Sequence, residues 1–545
     1  MFGKTGILLS ALALSAGVAS AQQPVPAATR VARAASAATL RAHLEFLSDD
    51  LLEGRAPGTR GGALAARYIA AQFERLGLAP AGDSGTYFHR VPIISLSPTP
   101  TVAFQGQDRR TLAYREDYVL WSMRNEPEVT VSAPVVFVGY GIVAPEYQWD
   151  DYRGVDVKGK IVLLLVNDPG LRDSSIFKGK ALTYYGRWTY KLEEAARQGA
   201  AGVLIVHTTE SATYGWPTVT GSWTGPQVRL ESPATSLNVA GWVTESAASD
   251  LVKRGGSDLE SLTRAAVTRQ FRATPLKVTV DARVQSSIVR SATFNVVGRY
   301  PGQGSLADEA VLIGGHYDHL GIREPVNGDS IYNGAEDNAS GTAAVLTAAE
   351  AFVQSGVRPS RSILFMAFAA EESGLIGSAA FAARSTVPLK RLAAVLNVDV
   401  MNLYGRTRDV SALGTDQSSL GRVFNLAAAA EGLRVTVDSG ALIRGSFFRS
   451  DHFPFAKSGV PSLSLESGNE YVGKPAGWGT QQHDEYTDKR YHQPGDEMLP
   501  WFSMDGAIQQ VRVILRTAVA VANNRTQPTW LNGSEFKAAG DQRLQ

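Results

Sequence analysis

Four short apolar runs in the second half of the chain constrain its fold more than any other feature. They span residues 310–313, 362–370, 393–398 and 460–465. Continuous apolar runs of this length are typical of parallel strands that are buried on both faces. A helical pattern at 343–352 separates the first two runs. The order of these segments predicts an α/β fold with a mostly parallel sheet between helices.

Three of these runs lead to His, Asp or Glu, which are residue types that can bind metals. The first leads to His316, the second ends at Glu371 and Glu372, and the third ends at Asp399. Asp337 stands just before the helical pattern. Because open α/β sheets bind ligands at the carboxyl ends of their strands, we expect these side chains to converge. Imidazole and carboxylate together favour a divalent metal, and above all zinc.

Five sequence blocks carry a resemblance to a known family. They are GGHYDH at 314–319, EDNASG at 336–341, AEESG at 370–374, NVD at 397–399 and YHQPGDE at 491–497. In order and spacing they resemble the di-zinc exopeptidases of metallopeptidase family twenty-eight. The resemblance covers roughly residues 40–90 and 280–520. It implies the zinc exopeptidase fold and two Zn²⁺ ions per chain.

The resemblance also implies a role for each site residue. His316 and Asp399 would bind one zinc, Glu372 and His492 the other, and Asp337 would bridge them. Glu371 would be the general base, Asp318 would orient His316, Tyr491 would stabilise the oxyanion, and Arg449, in the block RSDH, would contact substrate. The family pattern does not use His319 as a ligand. Adjacent glutamates at a strand end point in different directions, so one can bind metal while the other takes a proton.

A segment of different character lies between the two parts of the predicted catalytic domain, 36–127 and 276–525. Residues 128–275 contain phrases such as VKGKIVL at 157–163 that resemble a protease-associated (PA) domain. We therefore predict a PA insertion that either shapes substrate access or is a structural appendage. Residues 22–35 are rich in Pro and Ala and predict disorder, and 526–545 predicts a polar tail.

The N-terminus and the composition bear on location and partners. Residues 1–21 have the charged start, apolar centre and Ala-Ser-Ala end of a signal peptide, which predicts export to the periplasm or medium. No later run is long enough to span a membrane. The chain has 53 basic and 52 acidic residues, so its charge favours neither nucleic acid nor anionic membranes. It has no cysteine, which excludes disulfides, thiol catalysis and cysteine-bound zinc.

The sequence thus predicts a secreted zinc aminopeptidase that removes N-terminal residues from peptides. Three alternatives stay open: a glutamate-carboxypeptidase-like peptidase, a single-zinc glutaminyl cyclase, and a receptor-like binding protein without catalysis. The first needs cationic groups for a carboxylate, and Arg444 and Arg449 supply two of them. No dense arginine cluster is visible in the sequence. The native metal, the preferred N-terminal residue and the oligomeric state stay open.

Overall fold

The computed structural model describes residues 25–106, 108–231 and 236–545. The predicted signal peptide, 1–21, lies outside this range. No helix in the described part of the chain has the length and apolar character that crossing a membrane requires.

The helices and strands are numbered here in chain order. The helices are α1 (Ala27–Ala34), α2 (Ala37–Leu47), α3 (Arg60–Arg75), α4 (Trp188–Arg197), α5 (Thr209–Ala212), α6 (Trp216–Trp223), α7 (Glu245–Arg254), α8 (Leu259–Ala266), α9 (Ser340–Ser355), α10 (Ile376–Ala383), α11 (Leu420–Ala430), α12 (Ser439–Arg444), α13 (His452–Lys457), α14 (Trp478–Lys489), α15 (Met504–Asn523) and α16 (Lys537–Leu544). The strands are β1 (Ala79–Pro80), β2 (Phe88–Gln105), β3 (Arg109–Thr111), β4 (Tyr118–Ser122), β5 (Glu128–Phe137), β6 (Val143–Ala144), β7 (Trp149–Asp150), β8 (Ile161–Leu165), β9 (Gly202–His207), β10 (Gln227–Leu230), β11 (Val239–Thr244), β12 (Thr274–Tyr300), β13 (Ala310–His316), β14 (Gly321–Val326), β15 (Asp329–Tyr332), β16 (Ser362–Phe368), β17 (Leu392–Val398), β18 (Asp409–Leu413), β19 (Arg434–Thr436) and β20 (Ser462–Glu466).

The larger part of the molecule is built on a mostly parallel sheet. Its strand order is β19-β18-β20-β17-β13-β16-β12. The four central strands β20, β17, β13 and β16 are parallel, and they are the four apolar runs of the sequence. β18 is antiparallel to β20, and β12 is antiparallel to β16. The predicted α/β fold is therefore confirmed.

Helices cover both faces of this sheet, as the apolar strands require. Phe365 of β16 points to one face, where it packs in a core with residues of α2, α9 and α15. Its neighbours Leu364 and Met366 point to the other face, where they pack with Phe381 of α10 and Phe455 of α13. The central strands are thus buried on both sides.

The smaller part continues the same sheet through the long strands β2 and β12. These two strands pair antiparallel along 18 residues of each, and β5, β8, β9, β11 and β4 follow outward from β12. β5, β8, β9 and β11 are parallel. β4 closes the edge, and Leu112 and Tyr118 belong to the core of this part. The smaller part therefore takes residues from before 128.

Two terminal segments differ from their sequence prediction. The Pro/Ala-rich segment was expected to be disordered, yet 27–34 form α1, which buries Val31 and Ala32. The predicted polar tail contains α16 and the buried side chain of Trp530, whose Nε1 donates to the Gly459 carbonyl at 3.0 Å. In both cases a few apolar side chains find a surface on the larger part, which a local pattern does not reveal.

Candidate metal centre

The predicted metal ligands meet at the carboxyl edge of the central strands. His316 ends β13, and Glu371 and Glu372 follow β16. Asp399 follows β17, Asp337 lies in the turn before α9, and His492 lies in the loop after α14. These six residues are called the His–carboxylate cluster below. Because β13 pairs parallel with both β16 and β17, the loops that follow these three strands lie at one edge of the sheet.

A glycine in the GGHYDH motif and another in the EDNASG motif allow this convergence. A Cβ on Gly315 would lie 2.4 Å from the Val398 carbonyl oxygen, and one on Gly341 would lie 2.2 Å from Asn338 Oδ1. Neither neighbour can move, because Asn338 itself donates from Nδ2 to the Val398 carbonyl at 3.0 Å. The two motifs therefore need glycine where β13, β17 and the start of α9 touch.

Asp337 lies between two imidazoles and turns one oxygen to each. Its Oδ1 is 3.2 Å from His316 Nε2, and its Oδ2 is 3.3 Å from His492 Nε2. On the outer sides, Asp399 Oδ1 lies 3.2 Å from His316 Nε2, and Glu372 Oε2 lies 3.1 Å from His492 Nε2. The cluster is thus two sets of one imidazole and two carboxylates that share Asp337.

These spacings fit two tetrahedral zinc sites. Zinc bonds of about 2.0–2.1 Å to nitrogen and oxygen place tetrahedral ligand atoms about 3.3 Å apart. The four measured imidazole–carboxylate separations are 3.1–3.3 Å. His492 Nε2 and Glu372 Oε1 are buried atoms whose short contacts do not have hydrogen-bond geometry, so both are available to a metal. The donor set and its spacing therefore suit the implied metal.

The charges of the cluster also call for cations. Burial raises the pKa of Glu371 well above its usual value, and Glu372 and Asp399 raise it further. Burial alone would lower the pKa of His316 and His492, but the surrounding carboxylates reverse this. The pKa of His492 rises to about 10. Carboxylates therefore outnumber positive groups here, and bound divalent cations would balance them.

His319 is closer to the cluster than the sequence suggested. It is fully buried, and its Nδ1 lies 2.8 Å from Glu372 Oε1. His319, Asp337 and Glu372 place one ligand atom each within 4.8 Å of one another, as do His316, Glu371 and Asp399. Glu372 thus has one oxygen towards His492 and the other towards His319. The structure gives His319 a supporting position behind Glu372.

Asp318 contacts His316 mainly through its backbone. The Asp318 carbonyl oxygen is 3.1 Å from His316 Nδ1, whereas the nearest carboxylate oxygen is 3.9 Å away. Since a carbonyl only accepts, His316 Nδ1 is the donor in this contact, and Nε2 is the nitrogen that would face a metal. The Asp318 carboxylate instead accepts from the Glu371 backbone N–H at 3.1 Å. It therefore fixes the start of the Glu371–Glu372 turn.

Asp496 holds the backbone of the bridging residue. Its carboxylate accepts from the N–H groups of Glu336 and Asp337 at 2.9 and 3.1 Å. Sequence reasoning missed Asp496, although it lies in the same YHQPGDE block as His492. Beside it, Glu336 is buried and accepts from Tyr404 and pairs with Arg490. The loop that carries His492 is thus anchored to the turn that carries Asp337.

Ser450 was also missed by sequence reasoning. Its hydroxyl donates to Asp399 Oδ2 at 2.7 Å, and Asn397 Nδ2 donates to the same hydroxyl at 2.7 Å. Because Asp399 Oδ1 faces His316, the serine fixes the rotation of this carboxylate. The signal was present in the sequence, since Ser450 belongs to the RSDH block.

A buried arginine supports the cluster from behind. Arg55 is fully buried, and its Nε donates to the Tyr317 carbonyl at 2.7 Å. Its terminal nitrogens donate to the carbonyls of Asn333 at 2.6 Å, of Gly334 at 2.9 Å and of Leu47. It connects α2 to the strand end at His316 and to the segment before Asp337. Burial lowers its pKa to about 10, while nearby carboxylates oppose that shift.

Tyr491 lies beside the cluster on its open side. Its ring stacks on His492 with centroids 3.9 Å apart, and 44% of the residue is exposed. Burial of the hydroxyl raises its pKa well above the usual value, and the carboxylates of Asp337 and Glu372 add to the rise. Glu371 and Asp399 raise this pKa as well. The Tyr491 hydroxyl is therefore neutral at ordinary pH and can donate a hydrogen bond.

Arg449 lines a small pocket between the smaller and larger parts. Arg187 of the smaller part and Arg444 of the larger part also line it, together with Tyr214. These three arginines define the arginine pocket. The sequence had shown no dense arginine cluster, because Arg187 is more than 250 positions away from the other two.

Comparisons with known proteins find a family model and several related sequences. Residues 295–517 match the model of Peptidase family M28. Aminopeptidase YwaD of Bacillus subtilis is 27% identical over 380 residues, which cover 68% of this chain and 63% of the relative. A probable zinc metalloprotease of Pyrenophora tritici-repentis is 27% identical over 251 residues, which cover 41% of this chain and 55% of the relative. The chain thus spans less than two thirds of these curated relatives.

A comparison with solved structures also finds an aminopeptidase. An aminopeptidase from Aneurinibacillus sp. strain AM-1 is 21% identical, with a TM-score of 0.49. The alignment covers 92% of this chain and 97% of that structure.

Proposed function

Because residues 295–517 match the model of peptidase family M28, we propose that this protein is a zinc-dependent exopeptidase that acts as an aminopeptidase. The observation that carries this proposal is the position of Asp337 between His316 and His492, with one oxygen towards each. Two relatives, named an aminopeptidase and a zinc metalloprotease, support the same reaction class.

Each residue of the cluster has a role in this proposal. His316 and Asp399 would hold one zinc, His492 and Glu372 the other, and Asp337 would contact both. Bound zinc supplies a water of lowered pKa and polarises the peptide carbonyl. Asp318, Asp496 and Ser450 keep the ligand carboxylates and backbone in place.

Glu371 is the proposed proton carrier. It follows β16 directly, and its Oε2 lies 3.9 Å from His316 Nε2, so it borders the set of His316 and Asp399. It would accept the proton of the attacking water and donate it to the leaving amine nitrogen. The Tyr491 hydroxyl would donate to the oxyanion that develops on the peptide carbonyl. Acidic groups near the site would hold the positive α-amine of the substrate.

The arginine pocket favours a second candidate, a carboxypeptidase of the glutamate-carboxypeptidase type. Three arginines near the cluster could hold the carboxylate of a C-terminal residue. This candidate uses the same metal ligands and the same base. It differs in which end of the peptide is recognised.

Acetylation of the substrate separates the two candidates. An aminopeptidase should cleave leucine para-nitroanilide and should not cleave its N-acetyl form, since acetylation removes the charged amine that acidic groups near the site would hold. Activity on both should be lost with a chelator and return with zinc. Equal cleavage of free and N-acetylated peptides, with release of the C-terminal residue, would support the carboxypeptidase instead.

We also propose that the protein is exported, as the pattern of residues 1–21 suggests. N-terminal sequencing of protein from the culture medium or periplasm should find a chain that begins near Gln22. A chain that retains its first 21 residues inside the cell would contradict this.

A further inference from the structure

The arginine pocket is formed by both parts of the molecule. Arg187 and Tyr214 come from the smaller part, and Arg444 and Arg449 from the larger part. The two walls are joined by direct contacts. The Leu182 N–H donates to the Leu442 carbonyl at 3.1 Å, and Lys457 pairs with Glu193 at 2.5 Å. The pocket is therefore a fixed feature of the interface between the two parts.

Two of its arginines have no anionic partner. Within the described chain, the side chains of Arg187 and Arg449 form neither an ion pair nor a hydrogen bond, and Arg187 Nε is a buried atom without a partner. Arg444 reaches only Asp438, at 3.5 Å. Arg187 is half-buried, and a guanidinium that is partly withdrawn from water and left unpaired costs free energy. Arg444 and Arg449 are exposed residues at the mouth of the pocket. The buried Arg361, by contrast, pairs with Glu309.

The arginines also repel one another. Burial lowers the pKa of Arg187 to about 10, and Arg449 lowers it further. Partial desolvation of the guanidinium also lowers the pKa of Arg449, and Arg444 adds to that shift. The groups that oppose these shifts most are tyrosines, among them Tyr214, and not carboxylates. The pocket is thus a concentration of positive charge that an anion would neutralise.

The pocket adjoins the His–carboxylate cluster. Arg449 precedes Ser450, whose hydroxyl donates to Asp399. Arg449 is also close enough to Tyr491 for the phenol to shift its pKa, and Tyr491 stacks on His492. A group bound at Arg449 and a peptide bond at Glu371 could therefore belong to one short substrate.

We propose that the arginine pocket binds a carboxylate of the peptide substrate, so that the enzyme selects peptides with a negative group near the cleaved bond. The inference rests on the proposed exopeptidase function. A planar guanidinium matches a carboxylate with two parallel hydrogen bonds, and peptides offer carboxylates as an Asp or Glu side chain or as the C-terminal group. The smaller part thereby contributes Arg187 to substrate selection.

Selectivity on matched peptides tests this inference. The substrates share an N-terminal leucine: Leu-Gln-amide is neutral, Leu-Glu-amide carries a side-chain carboxylate, and Leu-Gln with a free C-terminus carries an α-carboxylate. For Arg187→Met, the ratio of kcat/KM for a carboxylate substrate to kcat/KM for Leu-Gln-amide should fall by about 10- to 100-fold, the usual weight of a hydrogen bond to a charged group. Arg264→Met, on the exposed surface of the same part, should leave the ratio at the wild-type value.

The pattern of the three kcat/KM values identifies the group that the pocket binds. A fall only for Leu-Glu-amide identifies an acidic side chain as the ligand, and a fall only for the free C-terminus identifies the α-carboxylate. An unchanged ratio, with or without a uniform loss of activity, overturns the inference. Arg449→Met repeats the test from the other wall if Arg187→Met does not fold. A wild-type protein that cleaves none of the three peptides overturns the proposed function, whereas cleavage of Leu-Gln-amide with an unchanged ratio overturns the pocket alone.

Discussion

The His–carboxylate cluster and the arginine pocket are adjacent but opposite in charge and in construction. The cluster holds an excess of buried carboxylates that cations would balance. The pocket holds guanidinium groups that an anion would balance. Neighbours in one motif serve the two regions, since Ser450 donates to Asp399 while Arg449 faces the pocket. This difference supports the proposal that the first region carries the chemistry and the second selects the substrate.

Loss of Asp337 should have the largest effect on metal content and activity, because both imidazole–carboxylate sets share this residue. Asp337→Asn removes the charge that faces both imidazoles, so we expect the loss of both metals and of all measurable activity. Metal content after gel filtration and turnover of leucine para-nitroanilide check this. Asp484→Asn, on the exposed face of α14, is the matched control. Full activity in Asp337→Asn would refute the shared-ligand account.

Glu371 should affect turnover without affecting metal content. We expect Glu371→Gln to lower kcat by about 10²- to 10⁴-fold, the usual contribution of general acid–base catalysis. Glu372→Gln should instead lose metal, because Glu372 Oε2 lies 3.1 Å from His492. Steady-state kinetics and elemental analysis of both variants decide the matter. Loss of metal in Glu371→Gln with retention in Glu372→Gln would show that the two roles are reversed.

Arg55 contrasts with the arginines of the pocket, because its hydrogen bonds to carbonyls make it structural. We expect Arg55→Met to lower the free energy of unfolding by about 3 kcal/mol, since it leaves several buried carbonyls without a donor. Arg60→Met, on an exposed side chain, should change it by less than about 0.5 kcal/mol. Urea unfolding at a fixed zinc concentration measures both. Equal urea midpoints for Arg55→Met and Arg60→Met would contradict the structural role of Arg55.

Ser450 should give the smallest effect. Removal of its hydrogen bond to Asp399 should weaken metal binding by about 1 kcal/mol, or roughly fivefold. Competition with a chelator measures the affinity of Ser450→Ala. Arg449→Met is the informative neighbour, because it should alter the preference for carboxylate substrates and leave the metal affinity at the wild-type value. A change of metal affinity in both variants would mean that the two regions are not separate.

The same contrast explains what the sequence could predict. His316, Glu371, Glu372 and Asp399 each lie at or just after the end of a central strand, so a short contiguous motif predicts their position. Asp496 lies in the block that carries His492, and Ser450 lies in the RSDH block, but both needed coordinates to reveal their contacts. Arg187 could not be found, because it meets Arg449 only through packing between the two parts. The helix α1 was missed for a similar reason, since its stability comes from tertiary contact.

The zinc content of the freshly purified, undialysed protein tests the central claim most directly. Two imidazole–carboxylate sets that share Asp337 predict two zinc ions per chain. Elemental analysis, normalised to protein concentration by amino-acid analysis, should give a ratio near two, and a ratio near zero for Asp337→Asn. A ratio near one in the wild type, with full activity, would contradict the two-metal account and favour a single-zinc enzyme.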